Sequence, residues 1–290
     1  MHEFSVEYIR CVRCRGKLEL EILNNSGEIN EGFFYCNKCK LTFPIISKIP
    51  ILVDDFISYL SNRTKLGGSL YLKAKHHSMK SFLKKSLSKV KKLDDINLVE
   101  ERWVRIYQNS TRSRFYSIIR DKLGKLPKSK LALEHGCSIG TISRFMARNN
   151  DITFGIDRSF NGISAAKKTK AENLDFFVAN SIEHPFGNQK FGLVVALNLL
   201  ELVEPKQLIR MASKQIKKGT FVLSDPYDYD RGERSVRNQV TPEDLRKELI
   251  RYGFSLISGT KKPSFIPWKL NLNPRTKLNY SVDLIIGEKT

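Results

Sequence analysis

One segment of the sequence, Leu131 to Ala147, constrains most strongly what the chain can fold into. It begins with a short apolar run, continues with a turn that contains Gly136 and Gly140, and ends in a helical pattern. A second apolar run, Ile152 to Ile156, follows and ends in Asp157. A strand, a glycine turn, a helix and a further strand form a βαβ unit with parallel strands. Because short strands and helices keep alternating downstream, the sequence predicts an α/β fold.

The turn in this segment has the features of a ligand-binding loop. Gly136 and Gly140 stand where the backbone must bend and let a ligand approach closely. Asp157 can accept hydrogen bonds from both ribose hydroxyls of an adenosine cofactor. The pattern is G-x-S-x-G, without the third glycine of the dinucleotide fingerprint, and Glu134 would repel a pyrophosphate but can receive the ammonium of a methionine moiety. The sequence therefore excludes a dinucleotide cofactor.

The same segment resembles motif I of class I methyltransferases, of the type 11 kind, usually written E/D-x-G-x-G-x-G. The resemblance covers about residues 100 to 290, and the later strands follow in the family's order. It implies a Rossmann-like, seven-stranded, mostly parallel sheet and S-adenosyl-L-methionine as the cofactor. Ser138 replaces the middle glycine of the motif, and Asn180 replaces a frequent aspartate. The residues that it assigns to the cofactor are Glu134, Gly136, Ser138, Gly140, Asp157, Asn180, Ser181, Ile182 and Asn198.

The methyl acceptor should be bound by loops beyond the strand ends. The segments 225–234 and 261–280 are expected to form this side, because open parallel sheets bind ligands beyond their carboxyl ends. Strand four ends in Asn-Leu-Leu-Glu, so the N-P-P-Y signature of amino-group methylation on nucleic-acid bases is missing. The catalytic residues are unknown, and the candidates for acceptor contact are Asn198, Tyr227, Asp228 and Tyr229.

Four of the five cysteines form two close pairs near the N-terminus, which are Cys11-x-x-Cys14 and Cys36-x-x-Cys39. The segment between the pairs predicts a hairpin, and two knuckles of this kind place four thiolates in a tetrahedron. Such a site is closed to water and therefore structural, with zinc as the expected metal. About fifty residues build little core alone, so the metal would supply folding energy.

These knuckles, followed by Leu41 to Val53, resemble the Trm112-like family of small zinc-ribbon proteins over about residues 8 to 53. In that family the ribbon binds and activates methyltransferases, so an attached copy implies a catalytic domain downstream. The expected domains are a ribbon over 1–55, a basic linker or helix over 56–98, and a methyltransferase domain over 99–290. The alternative is a non-catalytic cofactor-binding protein that activates a partner or binds RNA.

The charge of the chain is concentrated in one block. The net charge is +20, and between Ser61 and Lys92 there are ten Lys or Arg and no Asp or Glu. Such a block indicates a contact with RNA or an anionic membrane surface, or else a solvated linker. Apolar residues at helical spacing predict an amphipathic helix over 79–90, after a break at Gly67-Gly68.

The sequence contains no recognisable targeting segment. The N-terminal residues lack the apolar core of a secretory signal, and the longest apolar run, Phe191 to Val203, is too short and too polar to cross a bilayer. A cytoplasmic location is expected by default. Nothing in the sequence indicates an oligomeric state.

Overall fold

The computed structural model describes residues 1–91, 95–230 and 236–290. Lys92 of the basic block and residues 231–234 of the predicted acceptor loop lie outside these ranges. The N-terminal part begins with a 3₁₀ turn, Glu3–Glu7. Its strands are β1 Glu19–Asn25, β2 Ile29–Cys36, β3 Leu41–Ile46 and β4 Ile49–Leu52, and its helices are α1 Phe56–Ser61, α2 Thr64–Lys73 and α3 His77–Leu87.

The second part alternates strands with helices, as the sequence predicts. Its helices are α4 Asn97–Ser110, α5 Arg114–Gly124, α6 Thr141–Asn149, α7 Phe160–Ala166, α8 Pro205–Gln215 and α9 Pro242–Arg251. Its strands are β5 Leu131–His135, β6 Ile152–Asp157, β7 Leu174–Ala179, β8 Leu193–Leu197, β9 Gly219–Asp225, β10 Ser255–Leu256, β11 Ile266–Asn273 and β12 Thr276–Lys289.

Seven strands of this part form the predicted sheet, in the order β7-β6-β5-β8-β9-β12-β10. The first five are parallel, β12 is antiparallel to β9, and β10 is antiparallel to β12. Side chains alternate across the sheet, so Ala132 packs with Ile142 of α6 while Leu133 packs in the cluster of Leu208 from α8. The α/β Rossmann-like fold with a mixed central sheet is therefore confirmed.

The strands of the cysteine-bearing segment continue this sheet. Strands β1 to β4 form an antiparallel meander, and β4 pairs in parallel with β7 through Ile51 beside Val178 and Leu52 beside Ala179. All four residues of β4 are buried. An apolar strand of this kind is stable only with neighbours on both edges and both faces. The N-terminal segment therefore shares one sheet with the downstream α/β part.

Helices α2 and α3 pack as a pair over the strands β2 to β4 and helix α7. Leu66 and Leu70 of α2 and Met79 and Leu83 of α3 are buried in one cluster with Ile49. The expected break at Gly67-Gly68 is wrong, because both glycines lie within α2. A Cβ on Gly67 would stand 2.5 Å from Cδ2 of Leu87, so glycine here permits close helix contact.

The segment 261–280, expected as a loop, largely forms a β-hairpin. Strand β11 pairs with the first half of β12, and Asn273 and Thr276 flank its turn. The hairpin forms because apolar residues alternate along β11 and face α4 and α5. The indole of Trp268 lies 6.3 Å from the ring of Tyr107 and 5.4 Å from that of Phe115, measured between centroids.

Across the three described ranges, no helix combines the length and apolar composition needed to span a bilayer.

Candidate functional site

The carboxyl ends of the parallel strands meet at one edge of the sheet, and this edge carries the predicted cofactor residues. The turn 136–140 follows β5, and Asp157 ends β6. Asn180 follows β7, and Asn198 follows β8. In open α/β sheets, ligands bind in the crevice beyond these ends. Residues separated by more than sixty positions in the sequence are thus brought to one crevice by the topology.

The turn 136–140 is built from residues in the left-handed backbone region. The φ angles are +66° at Gly136, +47° at Ser138 and +71° at Gly140. A Cβ on Gly136 would lie 3.0 Å from Cδ1 of Leu199, and one on Gly140 would lie 2.6 Å from Cζ of Phe176. Both positions therefore require glycine. Ser138 adopts the same backbone region at a cost of roughly 1–2 kcal/mol. This cost explains why the family motif has a glycine at the position that Ser138 occupies.

Asp157 joins the turn to the end of β6. One carboxylate oxygen accepts a hydrogen bond from the backbone N–H of Ser138, and the other from the N–H of Ser159, both at 2.8 Å. Burial raises the pKa of Asp157, while these two N–H groups and the charge of Arg63 lower it. Each carboxylate oxygen has a further lone pair. The side chain is thus held in place with acceptor capacity left for two hydroxyl donors.

A wall beside Asp157 comes from helices that the sequence did not connect with the site. Arg63 and Glu100 form a largely buried ion pair, with 2.6 Å between Nη2 and Oε1. The guanidinium of Arg63 lies 4.2 Å from the ring centroid of Tyr59, and the Tyr59 hydroxyl donates to the carbonyl oxygen of Arg158 at 3.0 Å. In the sequence, Arg63 is one of the ten basic residues between Ser61 and Lys92, and nothing in its neighbours indicates that it alone would be buried beside Asp157. The charge of Arg63 acts directly on Asp157, the residue that the sequence assigns to the ribose.

Glu134 lies on the opposite side of the turn and faces α6. Its carboxylate is buried and accepts a hydrogen bond from the Ser143 hydroxyl. Burial raises the pKa of Glu134 to about 7, although the Ser143 hydrogen bonds and the charge of Arg144 act in the other direction. A buried carboxyl of this kind gains from a cation placed beside it, because the cation favours the ionised form. An ammonium group of a ligand can supply that cation.

We expect the affinity for S-adenosylmethionine, the cofactor that the resemblance to motif I implies, to rise with pH as Glu134 ionises. The pKa of about 7 lies above the ordinary value of 4.5, so below pH 7 the carboxyl is mostly protonated and cannot pair with an ammonium. Affinity should increase about tenfold from about pH 5.5 to about pH 7. Calorimetric titrations across this range measure it. Glu134→Gln should flatten the profile, and an unchanged slope in that variant would contradict the assignment.

The side expected to face the adenine follows β7. The Oδ1 atom of Asn180 accepts a hydrogen bond from the backbone N–H of Ile182 at 3.0 Å. Ser181 is buried, and Ile182 packs against the apolar cluster beneath the sheet. The structure thus places all three predicted residues in one tight turn at the crevice, with the Asn180 side chain shaping that turn.

The edge of β8 and β9 is fixed by a separate set of hydrogen bonds. Asn198 has a φ of +53°, its N–H donates to the carbonyl of Ser224 at 2.7 Å, and its Oδ1 accepts from the Ser224 hydroxyl at 2.9 Å. The carboxylate of Asp225 accepts from the N–H groups of Leu200 and Tyr227 at 2.9 and 2.8 Å. These bonds hold Asn198 rigidly at the crevice.

The predicted acceptor candidates after β9 are half-buried and hydrogen-bonded within the chain. The Tyr227 hydroxyl donates to Asp283 at 2.9 Å, and the same carboxylate pairs with Arg246 at 2.7 and 3.0 Å. Burial and the charge of Asp283 raise the pKa of Tyr227 well above its ordinary value, so this hydroxyl keeps its proton at neutral pH. The Arg246–Asp283 pair was missed by the sequence reasoning, because its members lie 37 positions apart.

The other two candidates have different partners. Asp228 accepts a hydrogen bond from the Tyr280 hydroxyl at 3.1 Å, which connects the loop after β9 to the hairpin. The Tyr229 hydroxyl donates to the carbonyl of Val240 at 3.3 Å, and burial raises the pKa of Tyr229 to about 12. Of the three neighbours, Asp228 is the one that carries a carboxylate, and that carboxylate is held by Tyr280.

The four cysteines of the two pairs come together at the end of the N-terminal sheet. Their Sγ atoms all lie within 4.8 Å of one another, with 3.5 Å between Cys14 and Cys36. Tetrahedral zinc with bonds of about 2.3 Å requires sulfur–sulfur distances of roughly 3.8 Å. The four thiols therefore fit a zinc ion without rearrangement of the chain. Beside them, Arg13 pairs with Asp54 through two hydrogen bonds of 2.8 and 3.0 Å.

Comparisons with known proteins agree with this architecture. Residues 133–223 match the family model described as a methyltransferase domain. No curated protein sequence matches the chain. The solved magnesium protoporphyrin IX methyltransferase of Synechocystis PCC 6803 with bound SAH is similar at 18% identity and a TM-score of 0.50, over 67% of this chain and 96% of that chain.

A second similar structure is a chain from the complex between the Haloferax volcanii Trm112 methyltransferase activator and a protein assigned as a methyltransferase. The identity is 14% and the TM-score 0.50, over 65% of this chain and 96% of that chain. At identities of 18% and 14%, the likeness to these two structures shows the fold of this chain and nothing further about its function.

Proposed function

We propose that the chain, which carries an S-adenosylmethionine-dependent methyltransferase domain, is an active enzyme that methylates an acceptor bound beyond β8 and β9. The observation that best supports activity is that hydrogen bonds connect the glycine turn after β5 to the carboxylate at the end of β6. The glycine turn is held to Asp157 through the Ser138 N–H, with hydrogen-bonding capacity left on the carboxylate. The acceptor is RNA, or a small or lipid-linked molecule.

Each end of the cofactor would have its own residues. Asp157 would bind the ribose, the turn Asn180 to Ile182 would contact the adenine, and Glu134 would pair with the methionine ammonium. Gly136 and Gly140 leave space for close approach of the ligand to the backbone. The bound sulfonium supplies an already activated methyl group, so the main task of the protein is alignment of donor and acceptor.

The acceptor would lie between the ends of β8 and β9 and the β11–β12 hairpin. Tyr280 connects the two, because its hydroxyl bonds Asp228 while its ring lies 5.6 Å from that of Trp268. In this arrangement Asp228 would take up a proton from an acceptor that must lose one, and Tyr227 would remain a protonated wall residue. Asn198 and Tyr229 would complete the opening.

The N-terminal segment would be a zinc ribbon of the Trm112-like kind. In support, its four thiols fit a tetrahedral ion and its last strand pairs with β7, directly before the adenine-side turn. The ribbon would then support the cofactor edge from within the same chain.

The test combines binding with turnover. Calorimetry should detect binding of S-adenosylmethionine and its demethylated product, and incubation with RNA, lipid and small-molecule fractions of a cell extract should yield S-adenosylhomocysteine with one of them. If the cofactor binds but no fraction yields S-adenosylhomocysteine, the result would favour the non-catalytic alternative. Absence of any affinity for the cofactor would refute the enzymatic proposal.

A further inference from the structure

The helix pair α2–α3 presents a set of exposed lysines. Of the ten basic residues between 61 and 92, Arg63 is buried in its ion pair with Glu100, and Lys92 lies outside the described residues. The remaining eight are all exposed, and we name them the basic face: Lys65, Lys73, Lys75, Lys80, Lys84, Lys85, Lys89 and Lys91. The fold thus leaves these lysines exposed, although the Nζ atom of Lys73 lies 5.1 Å from the ring centroid of Phe160.

Two carboxylates meet the backbone of the basic face within the described residues: Glu31 accepts the N–H groups of Lys75 and His76, and Asp95 accepts that of Lys65. Among the described residues, none of the eight lysines belongs to an ion pair. The segment from Ser61 to Lys91 also contains no Asp or Glu. Elsewhere on the surface, lysines such as Lys125 and Lys128 are paired with carboxylates. A surface patch that carries charge of one sign attracts an extended anion.

An exposed apolar pair lies within the basic face. At the end of α2, Leu72 is 84% exposed and Tyr71 is 37% exposed, and Lys73 and Lys75 follow directly. A single exposed leucine is ordinary. Here, however, the other leucines of α2 and α3 are buried or half-buried, so Leu72 is the exposed leucine of this helix pair and stands close in sequence to Lys73 and Lys75.

We propose that the basic face docks the protein on an anionic lipid bilayer. The lysines would lie among the headgroup phosphates, and Leu72 with Tyr71 would enter the interfacial layer, as in other peripheral proteins that combine basic and apolar contacts. RNA would satisfy the lysines but would leave Leu72 in water. Single-stranded RNA is also usually bound through several stacked aromatic rings. Phe82 of α3 is packed against Phe33 and Phe56. Tyr71 is therefore the one exposed ring of Phe or Tyr in these two helices.

The docked orientation would bring the cofactor edge close to the membrane. Helix α2 begins directly after Asn62 and Arg63, and Arg63 forms the wall beside Asp157. Docking itself does not depend on methyl transfer. Its consequence, that the acceptor is lipid-linked and not RNA, rests on the proposed function.

The test is flotation of the full chain with vesicles of phosphatidylcholine alone or mixed with phosphatidylserine. We expect binding to the anionic vesicles, weakened by salt. Combined substitution of Lys80, Lys84 and Lys85 by glutamine should lower the partition coefficient about a hundredfold, since each lysine near the surface contributes about 1 kcal/mol, or about fivefold. Leu72→Ser should lower it about tenfold. Thermal melting of each variant should be unchanged, because the replaced side chains are exposed.

Matched controls use exposed residues outside the basic face. Combined replacement of Lys206, Lys217 and Lys218 by glutamine removes the same charge, and Ile250→Ser removes an apolar side chain that is 58% exposed. Both controls should bind as the parent does. The proposal would be overturned if the control variants lost as much vesicle binding as the basic-face variants, or if the parent bound neutral and anionic vesicles equally. The proposal would also be overturned if the protein bound RNA tightly but did not bind vesicles, and if Leu72→Ser left the RNA affinity unchanged. That result would identify RNA as the ligand.

Discussion

Replacing Cys36 by serine is expected to prevent metal binding at the four-cysteine site and to destabilise the α/β sheet as well as the N-terminal strands β1 to β4. Cys36 ends β2, is buried, and has its Sγ 3.5 Å from that of Cys14. Structural zinc supplies roughly 10–16 kcal/mol of binding free energy in small ribbons and fingers, which exceeds or equals the stability of most domains. The effect should spread because β2, β3, β4 and β7 are consecutive neighbours in one sheet.

The measurements are metal content, thermal melting and cofactor affinity of the purified full chain. The parent should contain about one zinc per chain, and a chelator should lower its melting temperature as the substitution does. Cys137→Ser is the matched control, since this buried cysteine is separate from the four-thiol cluster. It should keep the metal. A Cys36→Ser protein that retains the metal and melts like the parent would contradict the structural role of the site.

Replacing Asp157 by alanine is expected to weaken S-adenosylmethionine binding about tenfold to a hundredfold. A hydrogen bond to a charged group contributes about 1.5–3 kcal/mol, and the carboxylate is expected to receive the ribose hydroxyls. The substitution also removes the acceptor of the Ser138 and Ser159 N–H groups, so the turn itself should become less rigid. Calorimetric titration well below the melting temperature measures the affinity apart from any loss of stability.

The control for this substitution is Asp151→Ala. Asp151 precedes the same strand, but its carboxylate is exposed and pairs with Lys128 on the surface. Surface pairs of this kind contribute about 0–1 kcal/mol, so cofactor affinity should not change. If Asp157→Ala bound the cofactor as tightly as Asp151→Ala, the ribose would have to be held by another group.

Much of the catalytic fold could be predicted because its signals are local. The glycines of the turn, the apolar strands and the helix start at Thr241, whose hydroxyl accepts the N–H of Asp244, depend on neighbours within a few positions. The two C-x-x-C pairs likewise predicted a four-thiol cluster, because the chemistry of zinc requires it.

The wrong expectations concern contacts between distant segments. The sequence predicts a break at Gly67-Gly68, whereas Gly67 lies within α2 and leaves room for the Leu87 side chain of α3. The hairpin formed by β11 and β12 was expected as a loop, and it is ordered by packing of Trp268 on Tyr107 from α4. Neither partner is adjacent in the sequence, so periodicity alone could not reveal these contacts.

By itself the sequence determined the order of strands and helices, the turn that can approach an adenosyl cofactor, and the thiols that can hold a metal. Only the tertiary structure decided that β4 joins β7, that Arg63 is buried beside Asp157 with Glu100, and that the eight lysines of the basic face are exposed. The physical reason is that local backbone preferences act over a few residues. Strand pairing and burial of charge instead depend on which distant surfaces meet when the core closes.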